Sequence, residues 1–86
     1  MNFNDKIEEL GYVIREKNEE FIIIEQKEEI SDIVILFGIK DKIITGYLRP
    51  NNVIQDLEDI THQYTIFRRM KQDLKELSEL SHYAII

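Results

Sequence analysis

Apolar residues recur at Val53, Leu57, Ile60, Tyr64, Phe67, Met70, Leu74, Leu77 and Leu80, in steps of three and four. That is the period of one helical face, so the spacing predicts a long amphipathic helix over 53–80. At 1.5 Å per residue such a helix would run roughly 42 Å, well beyond the usual three turns. The chain has only 86 residues, and little else with which to cover so long a stripe. Either the helix breaks or a second body packs on it, and a second copy of the chain is the expected one. The candidate subunit interface is therefore Phe67, Met70, Leu74, Leu77 and Leu80. The two successive steps of three from Tyr64 to Met70 let the face drift around the axis, so no regular heptad coiled coil is specified. A continuous or gently kinked helix is expected, with a break near the β-branched pair Ile60-Thr61 as the alternative.

The preceding chain changes period. Residues 4–11 read as a short helix with Asn4 as N-cap, acids in the first turn and Gly11 at the C′ position. Four extended runs follow, at 12–16, 21–26, 32–39 and 43–49, separated by short polar turns as in an antiparallel meander. Ile33, Ile35, Phe37 and Ile39 alternate and should face the main core, yet Val34 and Leu36 are apolar on the other side, as are Ile22 and Ile24 opposite Phe21 and Ile23. Strands apolar on both faces predict that each face is covered, the second by a helix or another subunit. Gly38 and Gly46 mark a bulge or close packing, and the partner of Gly46, Leu36 or Ile35, depends on the turn at Lys40-Asp41. Pro50 ends the fourth run, Asn51 or Asn52 can cap the long helix, and the apolar tail 81–86 should dock on the sheet or on a partner. The expected architecture is a single α+β domain over 1–86: a short N-terminal helix, a four-stranded antiparallel meander and a long C-terminal amphipathic helix.

Charge is distributed unevenly. Of the net charge of −6, the whole excess falls in residues 1–32, which hold ten acids and four bases; residues 33–86 balance at seven and seven. Such a field favours basic partners and repels phosphate backbones. Glu19, Glu20, Glu28, Glu29 and Asp32, at the expected hairpin ends, form a candidate acidic partner-binding face, against the simpler reading that they solvate turns. With no cysteine the chain has no disulfide, thiol or cysteine-based metal chemistry, and with no signal-like N-terminus or long apolar run a cytoplasmic location without membrane attachment is expected.

The inventory for chemistry is sparse. Glu58 and His62 share a helical face and would make half a metal site, but His82 lies in the tail and no third ligand is specified. Ser78, Ser81 and His82 lack the turn and orienting acid of a nucleophile site, and three scattered glycines make no phosphate loop. No catalytic residue, metal or cofactor is therefore assigned, and the chain is not expected to be an enzyme. Arg68, Arg69, Lys71 and Lys75 are the one basic concentration. Arg68, Lys71 and Lys75 share a face that suits a small DNA-associated regulator, although Asp73, Glu76 and Glu79 interrupt it and salt bridges to the acidic hairpin ends are the expected use.

The run Ile7-Glu8-Glu9-Leu10-Gly11-Tyr12-Val13-Ile14-Arg15-Glu16, then Glu20-Phe21-Ile22-Ile23-Ile24-Glu25 and a closing Lys/Glu-rich helix, resembles small uncharacterised phage and prophage proteins of low-GC Gram-positive bacteria. That resemblance implies a mobile-element accessory protein and carries over no functional residues. In length, acidity and element order the chain is also similar to phage anti-CRISPR proteins that inhibit Cas9 with acidic, DNA-like surfaces. The expected function is a non-enzymatic, homodimeric protein-binding module. The alternatives are an acidic nucleic-acid mimic and the DNA-associated regulator.

Overall fold

The structure, a computed structural model, describes residues 2–27, 33–48 and 57–86, without the side chains of residues 57–60, 62 and 63. The expected caps at Asn51 and Asn52, the proline at 50, and Glu28, Glu29 and Asp32 lie outside the described residues.

Helix α1 (Phe3–Glu9) begins two residues earlier than the Asn4 cap implies. Asn2 is the N-cap, and its Oδ1 accepts from the Asp5 N–H at 2.9 Å. Starting there brings Phe3 into the helix, where its ring meets Phe37 edge-on at 5.0 Å. Gly11 ends the turn in the left-handed region at φ 87°, which glycine adopts without a Cβ clash. Ile7 before it and Tyr12 after it both join the core.

Strands β1 (Tyr12–Lys17), β2 (Phe21–Gln26), β3 (Ile33–Gly38) and β4 (Ile43–Leu48) form the expected antiparallel meander. Pairing of β1 with β2 slips between Ile14 and Glu16, a bulge at Arg15 on an edge strand, where such irregularities discourage further pairing. In the next hairpin Gly46 lies opposite Ile35, and Ile44 opposite Phe37. That register puts Ile24, Ile33, Ile35, Phe37 and Ile44 on one face, all essentially inaccessible to solvent.

Helix α2 (Leu57–Ser81) runs unbroken for 25 residues, through the Ile60-Thr61 pair. Ile66, Met70, Leu74 and Leu77 point into the core of the same sheet face. Close approach is possible because Gly46 has no side chain: a Cβ there would lie 2.9 Å from Met70 Sδ and 3.0 Å from Leu74 Cδ1. Gly46 is therefore packing space beneath the helix.

A fifth strand is the one addition to the expected meander. After α2 the chain turns at His82, whose φ is 65°, and its N–H donates to the Ser78 carbonyl at 2.8 Å. β5 (Ala84–Ile85) then pairs parallel to β4, with Ala84 N–H donating to Lys42 O and Ile86 N–H to Ile44 O. A parallel neighbour requires a long crossover, and α2 supplies it. The tail thus docks on the sheet edge, while Tyr83 packs edge-on against Phe37 at 6.1 Å. No described helix is long and apolar enough to cross a membrane.

Candidate functional site

Polar groups inside the core converge where α2 meets the first hairpin. Tyr12, at the start of β1, donates its hydroxyl to Asp73 Oδ2 across 2.6 Å, and both residues are at least nine-tenths buried. Burial pushes the phenol well above its usual range, and the neighbouring Asp73 carboxylate adds to the effect. Burial also raises Asp73, against the opposing influence of the Tyr12 hydrogen bond and the Arg69 charge. Gln26 completes the cluster: its amide nitrogen is buried without a hydrogen bond, although the side chain lies close enough to Tyr12 to affect its ionisation. The Tyr12–Asp73 hydrogen bond ties α2 to β1 inside the core, a tether between helix and sheet. The sequence carried one sign of it: Asp73 sits between Met70 and Leu77 on the buried arc of the helix.

Nearby, Lys6 on α1 reaches Glu9 at 3.3 Å and Glu76 on α2 at 3.4 Å. These surface pairs orient α1 against α2 and contribute little energy.

The residues expected at a subunit interface separate into two groups. Met70, Leu74 and Leu77 lie in the chain's own core, whereas Phe67 and Leu80 remain exposed. Of the acidic set, Glu19 and Glu20 are exposed at the β1–β2 turn, where Asn18 Oδ1 accepts from the Glu20 and Phe21 N–H groups at 2.7 and 2.9 Å. Glu28, Glu29 and Asp32 are outside the described residues, as are the side chains of Glu58 and His62. Among the described residues no three potential metal ligands converge.

Among the described residues, apolar surface outside the core includes two regions besides the chain end at Ile85 and Ile86. On the sheet face opposite the helices, the register makes cross-strand rows of Phe21, Gly38 and Ile43, of Ile23, Leu36 and Thr45, and of Glu25, Val34 and Tyr47. Val34 is fully buried, Phe21, Ile23, Leu36 and Ile43 are half-buried, and Tyr47 and Val13 are 43% and 39% exposed. Both α1 and α2 contribute their buried residues to the other face. The second surface is on α2, where Tyr64 is 59% and Phe67 40% exposed. A separate cleft of about 390 Å³ opens between α1 and the end of α2, lined by Asn2, Phe3, Ile22, Phe37, Leu80 and Tyr83.

Comparison with known proteins returns no matching family model, no similar curated protein and no similar solved structure.

Proposed function

We propose that the protein is a non-enzymatic protein-binding module that works as a homodimer, with the sheet face opposite the helices as its contact surface. The supporting observation is the apolar character of that face, from Phe21 and Ile23 through Leu36 to Ile43 and Tyr47, with no described helix over it. A contiguous apolar face that stays partly accessible to solvent favours association. Pairing two such faces would let the antiparallel sheets stack as in a sandwich. The resemblance to small phage and prophage proteins supports an accessory role in a mobile element.

Light scattering over a range of micromolar concentrations tests this reading. A dimer is expected for the native chain and a monomer with native circular dichroism for Tyr47→Glu, since Tyr47 is 43% exposed and outside the core; a native chain that is monomeric throughout would sink the dimer. The exposed pair Glu19 and Glu20 supports a second reading, an acidic mimic of nucleic acid. There, Glu19→Lys with Glu20→Lys should abolish binding to a basic DNA-binding protein without unfolding the chain, and retained binding would remove it.

A further inference from the structure

Five residues on the solvent side of α2 form a stripe that neither the core nor the sheet face uses. Tyr64, Phe67, Arg68, Lys71 and Lys75 are spaced three, one, three and four apart, which places them within about 100° of arc. All five are exposed. The Arg68 guanidinium lies 4.8 Å from the centre of the Tyr64 ring, and the Lys71 ammonium 4.9 Å from that of Phe67. None of the ion pairs among the described residues involves Arg68, Lys71 or Lys75. The expected bridges from these cations to the acidic hairpin ends are thus not made within the described part of the chain.

We propose that this aromatic–basic stripe is a docking site for an acidic amphipathic helix of another protein. Charge complementarity carries the choice of partner. Three cations with no ion pair among the described residues ask for carboxylates at matching intervals, and the apolar bodies of Tyr64 and Phe67 among them ask for aliphatic side chains. From Tyr64 to Lys75 the stripe is about 17 Å long, the reach of roughly three helical turns, so an antiparallel or parallel helix can meet every position. Holding Arg68 and Lys71 over the rings restricts two otherwise mobile side chains before any partner arrives, which lowers the entropy lost on binding.

A single-stranded nucleic acid is the competing polyanion, and two observations disfavour it. A cation already lies over one face of each ring, so a base could stack there only by displacing it or by using the other face. The chain as a whole carries −6, and the repulsion grows with the length of phosphate backbone beyond the stripe, whereas a short peptide meets only the local charge.

Fluorescence anisotropy at low salt is the direct test, with a labelled amphipathic peptide of about four helical turns bearing glutamates on one face and leucines beside them. The controls are the same peptide with glutamine for glutamate, and oligothymidine. The expected result is binding of the glutamate peptide, loss with the glutamine peptide, and a drop of at least ~10-fold for Arg68→Glu with Lys71→Glu. Should that double variant lose its native circular dichroism, Lys71→Gln with Lys75→Gln is read in its place. Oligothymidine binding more tightly than the glutamate peptide, no peptide binding at low salt, or affinity unmoved by folded variants would each overturn the proposal. Tyr47→Glu, which addresses self-association through the sheet, is expected to leave peptide affinity unchanged, so failure of one reading is separable from failure of the other.

Discussion

The two faces of the sheet are built from the same residue types and meet different fates. Within β3, Ile33, Ile35 and Phe37 project onto one side and are sealed by α1 and α2; on the other, with no described helix above it, Val34 is still fully buried but Leu36 only half-buried. In β2, Ile24 is fully buried while its neighbour Ile23 is only half-buried. Isoleucine does not choose its side. The period-two pleat assigns each residue to a face, and the location of the helices decides which face becomes the core.

The largest effect that tests this contrast comes from adjacent residues on β3. Ile35→Ala should cost about 2–5 kcal/mol in urea unfolding, because it opens a cavity in a sealed core. Leu36→Ala, measured on the monomer at low concentration, should cost well under half of that, and it should also remove any concentration dependence of the melting temperature. Equal losses at the two positions would mean that the faces are energetically alike.

A smaller effect is expected at the contact between α2 and the sheet. Gly46→Ala should destabilise by about 1–3 kcal/mol, since the new methyl must displace Met70 and Leu74. The flexible thioether of Met70 makes the low end of that range the expected value. A second substitution, Met70→Ala, should recover part of the loss if the clash is its cause, and a double variant that simply adds the two losses would contradict that.

The smallest effect concerns the polar tether within the sealed face. Burial raises the Asp73 carboxyl in the folded chain, so the native state holds its proton to higher pH than the unfolded one does. Between those two values the native state binds more protons, and stability must fall as pH rises through the window above the ordinary carboxylate range. Asp73→Asn retains an oxygen to accept from Tyr12 and removes the buried charge, so its melting temperature at neutral pH should match or exceed that of the native chain. Melting curves across mildly acidic to neutral pH check this, and a native slope that survives in Asp73→Asn would assign the effect to another group.

Much of the scaffold was legible because it depends on local periodicity. Alternation from Ile33 to Phe37, the turn at Lys17–Glu20 and the three-four ladder from Leu57 to Leu80 each encode an element without reference to the rest of the chain. The N-cap was displaced from Asn4 to Asn2 because Phe3 gains a partner in Phe37, thirty-four residues away, and short-range capping preference has no knowledge of that contact. β5 was invisible for a similar reason, since two residues cannot announce a strand and only the docked edge of β4 gives them one. Among the site residues, the cations at Arg68, Lys71 and Lys75 were evident as a shared helical face. Their association with Tyr64 and Phe67, and the Tyr12–Asp73 bond across 61 positions, required side chains to be placed in space.

By itself the sequence determined that the central strands would be apolar on both sides and that one long helix would follow them, because pleat and helical period are properties of the backbone. Tertiary structure decided which side α2 covers. Gly46 admits the helix on one face, the pairing of β5 with β4 anchors its far end there, and a single crossover can lie over only one side of the sheet. The second apolar face, with no described helix over it, and the exposed aromatic–basic stripe are what that choice leaves outside the core among the described residues.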